Sequence, residues 1–138
     1  MLLLGFSWFI LIFGNVQMER AKALKDFRWE NRILIIKEAS LEQVEDKELE
    51  DRKLLYFQFQ GDSLNASNYE GEIDLESFEK MMEVRPSENW FLIGLDGGLK
   101  RSGKGSPELD QISKIIDAMP MRQSEIRRGK IDGFPKKK

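Results

Sequence analysis

Any chemistry this chain performs has to be done without cysteine or histidine, because the sequence holds neither. Without Cys there is no disulfide, thiol redox couple, thiolate nucleophile or lipoprotein attachment. Without imidazole there is no Ser-His-Asp triad. Tight zinc sites ordinarily need one of those two ligands. Asp, Glu, Lys, Tyr, Ser and Thr remain. Ser40 lies in Glu38-Ala39-Ser40-Leu41-Glu42-Gln43, and a serine needs an adjacent base to act as a nucleophile. Asp62, Glu70, Glu72 and Asp74 offer oxygen ligands suited to calcium. Their spacing departs from the D-x-[DN]-x-[DN]-G loop, so a solvated loop with a helix cap is the reading adopted. Asp96-Gly97-Gly98 is compatible with a backbone anion nest, but Asp-Gly is above all hairpin chemistry, since such turns need positive φ. No catalytic, metal-binding or cofactor-binding residue is assigned on this basis, and no cofactor is expected.

The least ordinary stretch is Ile116-Asp117-Ala118-Met119-Pro120-Met121-Arg122. Pro120 disfavours the α conformation at Met119, so a helix should stop there, and proline suits the first position of a new one. Met119 should finish an apolar stripe and Met121 should fold back under the sheet, where a flexible thioether fills irregular gaps. Arg122 should mark the point where the chain leaves the core. A structural corner is the preferred reading. The alternative makes Met119, Pro120, Met121 and Arg122 a contact surface for a partner.

The elements that would position these residues follow from periodicity. Four branched apolar residues from Ile33 to Ile36 predict a strand over 32–37 that is covered on both faces. A helix over 41–50 capped by Ser40 is expected next, then a strand over 53–59. Residues 60–73 are polar and glycine-bearing and read as loop. Asp74 should cap a helix over 75–84, ended by Pro86. Residues 89–95 predict a third strand, and residues 99–102 a short fourth across the Asp96-Gly97-Gly98 turn. Ser106-Pro107-Glu108 predicts a helix start. Leu109, Ile112, Ile115, Ile116 and Met119 make a continuous helical stripe.

The chain has 138 residues, 41% hydrophobic and 33% charged, enough for one domain with a real core and too apolar for disorder. Charge is uneven: residues 120–138 carry seven Lys/Arg against two acids, while residues 1–119 carry fifteen against twenty-two. The basic end reads as a solubilising tail, with anionic lipid or an acidic polymer as the alternative contact. Residues 2–13 are an uncharged apolar run, shorter than the roughly 20 residues of a spanning helix and within the range of about 7–15 for a signal-peptide core. Residues 1–17 are therefore read as a signal peptide, with an uncleaved anchor over 2–16, or a segment buried in the domain, as the alternatives. Arg20, Lys22 and Lys25 follow the run, and no Lys or Arg precedes it. The expected layout is a domain over 24–128 and a basic flexible tail over 129–138.

The phrases "DFRWENRILII", "DRKLLYF", "WFLIGLDGGLKRS" and "IDAMPMRQSEIRR" together resemble a bacterial domain-of-unknown-function family, number 4174. That family is related to a thioredoxin-like domain in vertebrate sushi-repeat-containing extracellular matrix proteins. The resemblance covers residues 27–128. It implies an α/β, thioredoxin-like fold ordered β-α-β, then α, then β-β-α, with a central four-stranded mixed sheet flanked by helices. It also implies an exported, periplasmic or extracellular location, and it carries over no activity or catalytic residue. Redox members of that fold place a Cys-x-x-Cys after the first long strand. Here the stretch is residues 38–43, with Ser40 near the nucleophile's place, so disulfide chemistry is excluded. Asn65-Ala66-Ser67 matches a glycosylation sequon, which in a bacterial protein is coincidence. The expectation is an exported, non-catalytic binding or adaptor module whose partner is a protein or an envelope surface component, not nucleic acid. It would touch a membrane only through its leader. The alternatives are a cysteine-free enzyme using carboxylate and serine chemistry, and a membrane-anchored envelope subunit.

Overall fold

A computed structural model describes residues 20–131; the expected leader (1–17) and residues 132–138 of the expected tail lie outside the described residues. A 3-10 turn, Leu24–Phe27, precedes β1 (Arg32–Lys37), α1 (Asp46–Asp51), β2 (Leu54–Gln60), β3 (Ser63–Ser67), α2 (Leu75–Glu83), β4 (Trp90–Ile93), β5 (Leu99–Gly103), α3 (Leu109–Asp117) and α4 (Pro120–Ile131). The strands form one sheet in the order β3-β2-β1-β4-β5. β1 runs parallel to β2 and antiparallel to β4, and the two outer pairs are antiparallel.

β1 sits at the centre because its sequence has nothing to offer water. Leu34 and Ile36 point into one core cluster, with Leu49 of α1, Trp90 and Leu92 of β4, and Ile112 and Ile116 of α3. Ile33 and Ile35 point into the other, with Phe57 and Phe59 of β2 and Phe78 and Met82 of α2. The alternation is that of any strand, but here both faces are covered. Each such side chain contributes about 1.5–3 kcal/mol by leaving water. The sheet is thus sandwiched, α1 and α3 on one side and α2 on the other.

The sheet has five strands, not the expected four. The polar segment 63–67, expected as loop, pairs with β2 at the edge. An edge strand needs little apolar surface, and here Leu64 joins the phenylalanine cluster while Ser63 and Asn65 face water. The left-handed backbone of Gly61 (φ 57°) turns the chain between β2 and β3. α1 is also shorter than expected, starting at Asp46. Leu41 is drawn into the core, its N–H donating to Gln58 Oε1, and Glu38 and Gln43 adopt positive φ, so residues 38–45 cannot be helical. Pro107 precedes α3 rather than opening it, and Glu108 occupies the N-cap position. At the other end, α4 runs past the expected boundary at 128, to Ile131. Among the described residues no helix is long and apolar enough to cross a membrane.

The topology sorts the loops onto two ends. The carboxyl ends of β1 and β2, the start of β4 and the start of α3 share what is called here the upper end. The starts of β1, β2 and α2, the β4–β5 turn, and α4 share the lower end.

Candidate functional site

The upper end, where open α/β sheets commonly bind ligands, carries an acidic cleft of about 560 Å³ lined by Glu42, Glu45, Glu48, Glu108 and Asp110. A backbone bridge joins Glu42 to Glu108. Next to it a shallower cleft of about 380 Å³ holds Ser40 with Glu38, Gln58, Asn65 and Ser106. Ser40 is exposed. Glu38, the one carboxylate lining that cleft, accepts the Gly61 N–H. Asn89 stands just before β4; its amide donates to the Lys37 carbonyl (3.0 Å) and accepts the Gly105 N–H (2.8 Å). It ties the end of β1 to the loop that follows β5.

The acids considered for calcium are not brought together. Asp62 sits in the β2–β3 turn at the upper end, whereas Glu70, Glu72 and Asp74 follow β3 on its way to α2. Among the described residues no group of three acids is placed to hold a metal ion. Asp96-Gly97-Gly98 forms the expected hairpin turn: Gly94 N–H donates to the Gly98 carbonyl, Gly97 N–H to the Gly94 carbonyl, and Gly98 N–H to Asp96 Oδ1. With those amides used inside the turn, no anion nest is left. Lys100 lies 2.7 Å from Asp96; its hydrogen bond, helped by the Gly98 N–H, holds the Asp96 carboxyl below the usual range.

The four residues considered as a partner contact differ in exposure. Met119 packs against the core cluster of α1 and α3. Pro120 opens α4 as expected and is exposed. Met121 is 41% exposed and does not fold under the sheet. Arg122 goes in instead, at 7% exposure. Its guanidinium donates to Asp117 Oδ1 (3.1 Å), to Asp51 Oδ2 (2.7 Å), to the Asp51 carbonyl (2.9 Å) and to Glu125 (3.4 Å). Glu125 in turn receives Arg32, 1% exposed, at 3.3 Å, and Asp117 receives Arg52 at 2.9 Å. Three arginines and three carboxylates thus fasten the start of α4 to the lower ends of β1 and α1. Burial works to raise the Asp117 carboxyl, but the Arg52 and Arg122 guanidiniums outweigh it and hold it below the usual range. Burial likewise opposes the charge on Arg122, and its carboxylate partners more than restore it. This is a lock on the start of α4, and Pro120 and Met121 stay exposed beside it.

One residue on the lower end escaped the sequence reasoning. Trp29 is 60% exposed and held at φ 68°. Left-handed backbone costs a non-glycine residue roughly 1–2 kcal/mol. Its neighbours all have evident structural roles. Asp26 accepts the Ala23 N–H, Phe27 is in the core, Arg28 lays its stem on Gly97, Glu30 pairs with Lys22, and Asn31 bonds the Lys53 carbonyl. Trp29 contributes its backbone N–H, given to the Leu95 carbonyl at 2.7 Å, while its ring faces water. At the same end a cavity of about 740 Å³ has a mixed lining, Arg20, Lys25, Arg28 and Lys80 with Asp74, Glu76 and Asp96, and reaches Gly97 and Gly98. No periodicity or spacing marks a left-handed tryptophan, so the sequence carried no signal for it.

A family model described as Domain of unknown function (DUF4174) matches residues 23–125. No curated protein matches the chain, and no solved structure does.

Proposed function

The chain belongs to the DUF4174 family, and on that premise we propose that it is an exported, non-catalytic binding module of thioredoxin-like topology that contacts its partner through Trp29. The observation that carries the binding role is Trp29 itself. A large aromatic ring held out in water on a strained backbone lowers stability, and such strain persists where function uses it. Two χ angles and a broad amphipathic face make tryptophan an economical anchor for a partner. The thioredoxin-like reading rests on the order β2-β1-β4-β5, with one parallel and two antiparallel pairs, α1 and α3 on one face and α2 on the other; β3 is an added edge strand. In that frame residues 38–43 occupy the place of the redox thiols. Among the described residues no hydrogen bond joins Ser40 to Glu38, the carboxylate of its cleft, which accepts the Gly61 N–H. The export reading rests on the apolar run over residues 2–13.

The test is a photo-crosslinking residue at position 29 of the full chain in its native cell, followed by mass spectrometry of the adduct and of the chain's own N-terminus. A reproducible envelope adduct that is missing from the same probe at Lys104, on the upper end, is the expected result. Turnover of a substrate that is abolished by Ser40→Ala, or a chain confined to the cytoplasm, would overturn the proposal.

A further inference from the structure

We propose that α4 is a releasable strap: it opens as one unit about the Met119–Pro120 joint while the sheet and the other helices stay folded. α1, α2 and α3 each bury apolar side chains in a core cluster, and among the described residues α4 buries none in either. Met121 is exposed, and Ile126 is half-buried outside both clusters. What holds α4 is polar. Arg122 reaches Asp51 and Asp117, Gln123 Nε2 donates to the Asp117 carbonyl, and Glu125 receives Arg32. Apolar burial makes the other helices part of one cooperative core. A helix tied on by ion pairs lacks that link, so it can open at a lower free energy than the core does.

The joint suits such a motion. α3 closes on its own bonds, Ala118 N–H to the Lys114 carbonyl and Met119 N–H to the Ile116 carbonyl, and the Met119 side chain packs on the core. Pro120 follows with no N–H to give, and Gln123 donates the first backbone bond of α4 to the Met119 carbonyl. α4 therefore leaves without breaking a bond of α3. The grip also loosens along the helix. Arg122 lies 2.7 Å from Asp51, whereas Glu125 meets Arg32 at 3.3 and 3.4 Å, beyond the range of about 2.7–2.9 Å usual for charge-assisted bonds. The buried Arg32 Nε has no partner among the described residues. A buried guanidinium that is only partly satisfied costs free energy, and release returns it to water. Gly129 lowers the helix propensity of the strap, and a helix of 12 residues off its support is marginal in water, so the released strap unravels. Opening bares Arg32 and frees Asp51. The lower end thus has a closed surface, with Arg32 covered, and an open one that presents its guanidinium.

The experiment is native-state hydrogen exchange on the full chain, read amide by amide by NMR at urea concentrations below the unfolding transition. The amides from Gln123 to Arg128 should share one protection factor, on the order of a thousand, and at least about a hundredfold below that of Leu34 and Ile35 in β1. Urea should speed their exchange only weakly, since their opening exposes little surface, and should speed that of β1 steeply. Arg122→Met should lower the strap's protection about 30- to 100-fold. It should lower that of β1 by the same factor, because both openings start from the closed state. Strap amides as protected as β1, with the same response to urea, would mean that α4 comes off only when the domain unfolds. Protection that declines residue by residue toward Arg128, with Gln123 matching β1, would mean fraying of a helix end. No protection at all would mean that the closed state is not the populated one. Each of these three results would overturn the strap.

Discussion

Replacing Arg122 by Met tests the physical account of the lower end most directly. The substitution keeps an apolar stem and deletes the charge that joins α4 to Asp51, Asp117 and Glu125. Removing one partner of a fully buried ion pair costs about 3–5 kcal/mol, because the other charge is stranded. None is stranded here. Asp51 is 63% exposed and regains water, Asp117 keeps Arg52, and Glu125 keeps Arg32. What is lost is a set of charge-assisted bonds around a group that is itself 7% exposed. We expect about 2–3 kcal/mol, less than the full penalty and well above the value of about 0–1 kcal/mol for a surface pair. For a domain of this size that lowers Tm by roughly 10–15 °C. Urea unfolding followed by the emission of core Trp90 gives the free energy. Met121→Ala, at an exposed position, should cost no more than about 0.5 kcal/mol. A double-mutant cycle with Asp117→Asn should be non-additive by about 1–2 kcal/mol. A loss below about 0.5 kcal/mol for Arg122→Met, or simple additivity with Asp117→Asn, would refute the lock.

Acid should loosen the same corner. The Asp117 carboxyl is held below its ordinary value in the fold, so its contribution is complete above the unfolded value of about 3.9 and is lost as pH falls through the lower folded one. Urea midpoints taken downward from pH 5 should therefore drop, and drop less in Asp117→Asn; equal slopes would contradict the assignment. Gly97→Ala should destabilise by more than about 1–2 kcal/mol, because Gly97 sits at φ 82° and an added Cβ would meet Arg28 Cγ at 2.7 Å. Gly98→Ala, whose nearest contact would be Asp96 Oδ1 at 3.3 Å, should cost less, and thermal melts of the two variants decide it. Trp29→Asn, a residue that tolerates left-handed backbone, should leave stability unchanged or raise it by up to about 1 kcal/mol while abolishing contact at that face. A loss above about 1.5 kcal/mol in urea would make Trp29 a structural residue.

The elements legible from sequence are those whose environment is written in consecutive residues. Ile33 to Ile36 announced a strand buried on both faces, and β1 is that strand. The stripe from Leu109 to Met119 announced α3, Pro120 its end and the start of α4, and Asp96-Gly97-Gly98 the turn into β5. The family itself was legible in four short phrases. Tertiary structure decided the rest, because the deciding forces act between residues far apart in the chain. β3 exists because β2 offers it an edge, and its own sequence needs only Leu64. Leu41 left the helical pattern because the core beneath α1 and α3 took it. Periodicity could not say whether Met121 or Arg122 turns inward. Arg122 does, because Asp51, 71 residues earlier, awaits its guanidinium, and Arg32, 93 residues before Glu125, fixes the helix that carries it. Trp29 donates its N–H to the distant Leu95 carbonyl from a left-handed backbone that its own neighbours in sequence do not announce. Local propensity acts over a few residues, whereas ion pairing and sheet edges act across the whole fold, and the exposed face of this protein was set by the second.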